Sequence, residues 1–400
     1  MPELDEKGNK KKFFMTISIV IFMAALVLPS VLWVFVHLAG EEAVAALDYD
    51  LGENRNKASF PDTFSSSLMG EIEEYYNDRL PFRSVIISAN RKLTSMIEKP
   101  YDRMVEKGDD LPPRVHNDAT IEGREKWLFF AKENSLEDYL GSNILSTEQM
   151  ESYLTGMKEL QEVCKAKGKQ VFFMIPPNKE QVYSEFMPSY TVEDPYKKAQ
   201  RLVDYIQENS DVKIIYPIKE LKAAKDKWQL YLKTDTHWNS AGAFIGVQAL
   251  YALMGLPTTE LESLTVLEEP VYNGDLLGMG NLNWEDYAGD KTYTVYYRLD
   301  VEVTEELGNG TGAGADLYST AASSANPCNF VMLGDSFRIN MGPYLSKDFD
   351  RCTLINIFSA GEPDARNAIE NADIIVVELV ERNIINFPNI MSAVCEILEQ

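Results

Sequence analysis

The sequence predicts an α/β protein: a mainly parallel sheet flanked by helices. Three observations lead there. From residue 120 onward, short apolar runs alternate with stretches of helical periodicity, the order expected of strands joined by covering helices. The runs KQVFFMIPP (169–177) and DIIVVELV (373–380) are apolar almost throughout, as in strands buried on both faces. Just before the first of them, TEQMESYLTGMKELQEVCKAKG (147–168) repeats apolar residues at spacings of three and four and closes on Gly168.

Taken in order, the first element stands apart. Lys10, Lys11 and Lys12 precede Phe13–Leu38, a run without Asp, Glu, Lys or Arg. As a helix it would reach about 40 Å, enough to cross about 30 Å of hydrocarbon with some tilt. It is longer than the apolar part of a cleaved signal peptide, although Ala39-Gly40 leaves cleavage open. Lysines on the near side only predict a cytoplasmic tail (1–12), a transmembrane anchor (13–38) and an external remainder. Residues 39–115 read as a stalk and helical segment, with apolar periodicity in SSLMGEIEEYYNDRL and PFRSVIISANRKLTSMIEK.

The main domain is predicted over 116–400. KWLFF (126–130) is a strand, and SLEDYLGSN opens the helices. DPYKKAQRLVDYIQENS is a helix before the strand VKIIYPI, and YLKTDTHW (231–238) reads as a further strand. SAGAFIGVQALYALMG is a helix, and NFVMLGDS and CTLINIF are strands. An insertion at about 270–326 breaks the rhythm. KTYTVYYRLDVEV alternates with period two as a β-ribbon, and GNGTGAGADLYSTAASSAN is expected to be a flexible loop.

The chain carries a net charge of -24. Glu3, Asp5 and Glu6 against Lys7, Lys10, Lys11 and Lys12 give its first forty residues +1, so the remainder holds -25. Such a field disfavours nucleic acid as a partner. Cys164, Cys328, Cys352 and Cys395 are far apart with no C-x-x-C, so no metal and no cofactor is expected. Cys164, Cys352 and Cys395 fall in apolar segments and read as buried free thiols.

Two stretches carry candidate chemistry. Ser336 follows the strand Phe330–Leu333 and Gly334-Asp335, at the carboxyl rim where parallel sheets build sites. It can attack a carbonyl while its own N–H, or a loop amide such as that of Gly361, meets the oxyanion. It can equally be a helix N-cap. Of three histidines, His37 adjoins the apolar span and His116 falls in a polar loop, which leaves His237 as the base. Asp235, two residues earlier, shares its side if the segment stays extended, and would fix the imidazole tautomer. A structural histidine beside an N-cap at Asn239 or Ser240 is the alternative. Trp238 can stack on a sugar or simply pack beside the histidine. Lys179, after two prolines, can face a cleft or form a salt bridge.

D-T-H-W-N with S-A-G-A (235–243) and the distant G-D-S-F (334–337) resemble the DHHW family and the alginate O-acetyltransferase-like proteins of bacterial envelopes. Glu53-Asn54-Arg55, Asn77–Arg83, Trp127-Leu128-Phe129, Ile175–Lys179 and Gly274-Asp275-Leu276 extend the resemblance. It implies an SGNH-hydrolase-like fold in permuted motif order, with Ser336 as nucleophile, His237 as base and Asp235 as orienter. It further implies acetyl transfer to an envelope polysaccharide through an acyl-serine, with the acyl group supplied by a polytopic membrane acyltransferase. No G-x-N-D block is present. Glu381-Arg382-Asn383 stands in its place, so Arg382 or Asn383 is a candidate oxyanion or substrate contact, alongside Asn239; Arg382 can also pair with a carboxylate. An esterase with the same triad, and a non-catalytic anchored polysaccharide-binding or assembly module, are the competing readings.

Overall fold

The computed structural model describes residues 113–400 except 191, 195, 196, 272, 308–314 and 323. The expected tail, anchor and stalk lie outside the described residues apart from the last few of the stalk. Among the described residues no helix is long and apolar enough to cross a membrane.

Three short strands come first, β1 (Arg114–His116), β2 (Thr120–Glu122) and β3 (Leu128–Phe130), paired antiparallel in that order. His116 is therefore not in a loop. It lies on β1, largely buried, with Nε2 2.8 Å from Glu122 Oε2.

The central sheet holds β4 (Gln170–Met174), β5 (Ile214–Ile215), β8 (Val303–Leu307), β9 (Ala315–Ala321), β10 (Asn326–Gly334), β11 (Phe349–Asn356) and β12 (Ile374–Glu378). Their order is β5-β4-β12-β10-β11-β9-β8. The first five run parallel, and β9 and β8 extend the sheet antiparallel beyond β11. The continuous apolar runs sit in the middle of this order, where both faces are covered: Phe173, Met174, Phe330, Leu333, Val376 and Val377 are fully buried.

The helix Thr147–Ala166 starts on a capping box, in which Ser146 accepts from the Gln149 amide and Gln149 accepts from the Ser146 amide. Gly168, just past its end, takes the left-handed conformation that the sequence assigned to it. The helix Ser240–Met254 is apolar nearly all round, as a helix enclosed on most sides must be.

Three expectations are corrected here. The stretch Tyr231–Trp238 is not a sheet strand. It doubles back on itself, with a single antiparallel bridge between Tyr231 and Trp238, Leu232 N donating to His237 O and Asn239 N to Leu230 O. The insertion does contain a β-ribbon, but this pairs β6 (Thr265–Val271) with β7 (Asp290–Tyr296) and so begins before residue 270. Part of the supposed flexible loop is a strand: β9 pairs with β11 and β8, because main-chain pairing at the sheet margin makes little demand on side-chain hydrophobicity. Cys164, Cys352 and Cys395 are buried free thiols.

Candidate active site

The site forms where β10 runs out. After Gly334 the chain turns into a 3-10 segment, Ser336–Met341, capped by Asp335, whose Oδ1 accepts from Phe337 N at 3.1 Å. Asp335 Oδ2 accepts from Val380 N and from Asn383 Nδ2, each at 2.9 Å, tying the turn to the end of β12. The buried Arg338 donates to the carbonyls of Gly334 and Asp335 at 3.0 and 2.5 Å. Burial, and the charge of Asp335 after it, push the Glu378 carboxyl far above the usual range, and this carboxyl packs against Gly334. Ser336 is exposed on this rigid base.

The second half is the doubled-back segment. The amides of Lys233, Thr234 and Thr236 are taken by side-chain carboxylates instead of a strand partner. Asp235 Oδ1 accepts from the His237 amide at 3.0 Å and from His237 Nδ1 at 2.7 Å. The two side chains therefore face each other through a local turn closed by the Asp235 carboxylate, not through strand alternation. A carboxylate can only accept, so Nδ1 carries the proton and Nε2 is left to accept. That Nε2 lies 2.6 Å from Ser336 Oγ.

Two ties hold the halves together: Trp238 Nε1 donates to Phe337 O at 3.0 Å, and Asn340 Nδ2 donates to Trp238 O at 2.9 Å. The Phe337 ring packs against both His237 and Trp238.

Burial works to raise the Asp235 carboxyl. The hydrogen bond and charge of His237, with the amides of Asp275 and His237, outweigh it and hold the group at about 2. A folded value below the unfolded one places its contribution to stability above about pH 4, lost as the pH falls toward 2.

The remaining candidates have structural positions. Trp238 is fully buried and offers no ring face to a sugar. Asn239 is the N-cap of Ser240–Met254, accepting from Ala241 N and Gly242 N at 3.1 Å, so it does not face a substrate. Arg382 stacks over Phe130 and Phe337 and donates to Glu133 at 3.2 Å, the carboxylate pairing weighed above. Asn383 is committed to Asp335 by one of its two amide hydrogens.

Lys179 is buried and, among the described residues, forms no salt bridge. Its buried ammonium donates to the carbonyls of Leu232, Lys233 and Asp235 at 2.9, 3.1 and 2.7 Å. Burial pushes it down to about 8, against the pull of Asp290, Asp235 and Asp275. Replacing it by Met leaves the Leu232 and Asp235 carbonyls without their donor, each costing about 1 kcal/mol or more, while Lys233 O keeps the Leu128 amide at 2.9 Å. Lys179→Met is expected to lower stability by about 2 kcal/mol, read from the urea midpoint, and to reduce turnover because the loop bearing His237 loosens.

Two acids to which the sequence assigned no role in the site, Asp290 and the Asp275 of the Gly274-Asp275-Leu276 stretch, brace the same loop. Asp290 Oδ1 accepts from Lys233 N, and Oδ2 from Thr234 N and Oγ1, all between 2.8 and 2.9 Å. Asp275 accepts from Thr236 N at 2.8 Å and Thr236 Oγ1 at 2.6 Å. Asp235, His237 and Asp275 place ligating atoms within 4.8 Å of one another. Their hydrogen bonds run to each other and to Thr236, an arrangement that serves the histidine.

A serine, histidine and aspartate in hydrogen-bonded series at the carboxyl rim of a mainly parallel sheet define an SGNH-hydrolase-like α/β protein. The chain belongs to the family described as SGNH hydrolase-like domain, acetyltransferase AlgX, which matches residues 120–350, more than half of its length. It is similar to the "Probable alginate O-acetylase AlgJ" of Pseudomonas aeruginosa, 26% identical over 236 residues and 56% of each chain. The protein of the same name from Pseudomonas putida is 27% identical over 138 residues, 33% of each chain. The chain thus spans about half and about a third of the length of the curated relatives it matches. A DHHW family protein from Eubacterium siraeum shares the fold at 14% identity and a TM-score of 0.50, covering 72% of this chain and 97% of that one.

Proposed function

We propose that this chain is a membrane-anchored O-acetyltransferase that acts outside the cytoplasm on hydroxyls of an envelope polysaccharide. The observation that carries the reading is the 2.6 Å contact between Ser336 Oγ and His237 Nε2, within a family described as acetyltransferase. His237 takes the Ser336 proton as Oγ attacks the acetyl carbonyl of the donor. The bond to the donor's leaving group then breaks, His237 returns the proton to that group, and acetyl-serine remains. An acceptor hydroxyl gives its proton to His237 as its oxygen attacks the acetyl-serine carbonyl; the bond from the acetyl carbon to Oγ breaks, and His237 returns the proton to Ser336 Oγ. Asp235 holds the imidazole and offsets its positive charge.

The developing oxyanion is met by the Ser336 N–H, since Asp335 takes the amide of Phe337, and by the second amide hydrogen of Asn383. Phe13–Leu38 serves as the anchor, and the acyl group reaches Ser336 from a polytopic membrane acyltransferase. Two curated relatives are named for O-acetylation of alginate, which supports a polysaccharide acceptor here.

The test incubates the external part with an activated acetyl ester, with and without oligosaccharide. Acetylated sugar formed in preference to free acetate supports transfer. Free acetate alone, unaffected by acceptor, points to an esterase. No turnover and no labelling of Ser336 points to a non-catalytic module.

A further inference from the structure

The segment Gly274-Asp275-Leu276 grips the loop that bears the histidine at every residue from Thr234 to Thr236. Leu276 N donates to Thr234 O at 3.1 Å, Asp275 N donates to Asp235 Oδ2 at 2.9 Å, and the Asp275 carboxylate takes both donors of Thr236. A Cβ on Gly274 would fall 2.1 Å from Thr234 O and 2.3 Å from Thr234 C, so only glycine permits this approach. Gly274→Ala is therefore expected to cost about 1–3 kcal/mol and to reduce turnover, as measured by urea unfolding and ester hydrolysis.

The carboxylate does more than close a turn. Asp275 Oδ2 stands 3.8 Å from His237 Nδ1. The Thr236 hydroxyl, which donates to that same oxygen, lies 3.3 Å from Nδ1. The Nδ1 side of His237 thus faces two carboxylates, Asp235 directly and Asp275 both across space and through a polarised hydroxyl. Lys179 and Asp290 act one layer further back, on the loop's carbonyls and amides.

We infer that Asp275 is a positioning residue for His237: it fixes the Thr236 hydroxyl and the Asp235 carboxylate on the Nδ1 side, and its negative charge stabilises the imidazolium that forms when Ser336 is deprotonated. The inference rests on the triad reading above but not on which acyl group or acceptor is used. Removing the charge while keeping the shape separates this role from a merely structural one. In Asp275→Asn the amide oxygen still accepts from Thr236 N, and the main-chain bond to Asp235 is untouched.

The experiment follows modification of the full chain by an arylsulfonyl fluoride, a reagent that reports serine reactivity whatever the natural substrate. Thermal unfolding is measured in parallel. Asp275→Asn is expected to stay folded, to lose about tenfold in the maximal modification rate and to keep its half-saturating reagent concentration within about twofold of wild type. Asp275→Glu, which restores the charge, is expected to recover part of the loss. A folded Asp275→Asn protein modified as fast as wild type would overturn the inference and leave the triad standing. A wild-type chain that is not modified at Ser336 at all would overturn both.

Discussion

Ser336→Ala is expected to lower turnover of an activated acetyl ester by about 10⁴-fold or more, with the fold intact. The size follows from what the side chain does in the proposed mechanism. Every later step passes through the bond that its Oγ makes, so no partial function survives its loss. The fold should tolerate the change because Ser336 is exposed and the turn beneath it is held by other groups. Asp335 caps the 3-10 segment, Arg338 holds the carbonyls of Gly334 and Asp335, and Asn340 fastens the turn to Trp238. Steady-state assay against thermal unfolding checks both halves. Turnover within tenfold of wild type would mean that another nucleophile is at work.

Asp235→Asn is the second large effect, with kcat expected to fall by about 10⁴-fold at nearly unchanged geometry. Asp235 accepts at both oxygens: Oδ1 from His237 N and Nδ1, and Oδ2 from Asp275 N. An amide in its place keeps one acceptor and presents a donor at the other position. If the oxygen keeps the main-chain amide of Asp275, the new NH2 faces Nδ1 and forces the proton to Nε2. Ser336 then meets a donor where it needs an acceptor, and the base is blocked. Substrate binding should change little, so the loss is expected in kcat with KM roughly preserved. A loss confined to KM would count against the role given to Asp235.

Much of the scaffold could be read from local chemistry. β4, β10, β11 and β12 announce themselves because strands buried on both faces need unbroken apolar runs, and the helix Thr147–Ala166 because its cap, period and terminal glycine agree. Ser336 was legible for the same reason, since it follows such a run by two residues. The histidine loop was harder. A run such as YLKTDTHW offers enough β-branched and aromatic residues to suggest a strand. Its shape is decided instead by Lys179, Asp275 and Asp290, which are distant in sequence and nearby in space.

The same distance explains why Asp275 and Asp290 passed unnoticed as contributors to the site. An isolated aspartate in a loop looks solvated until the backbone amides it accepts from are known. Lys179 shows the converse, because a lysine after two prolines suggests an exposed cation, whereas burial against Trp127 and Phe129 turns it inward. The two aromatic positions also divide clearly. For Trp238 the sequence left stacking on a sugar and packing beside the histidine both open, and its complete burial decides for packing, where it joins the two halves of the site.

The most direct test of the central claim is peptide mass analysis of the protein after brief exposure to an activated acetyl ester without acceptor. The account predicts one acetyl group on the peptide containing Ser336, formed by wild type and lost when an acceptor sugar is added. It predicts no such adduct in His237→Ala. An acetyl group on a different residue, or an equal yield of the Ser336 adduct without His237, would contradict it.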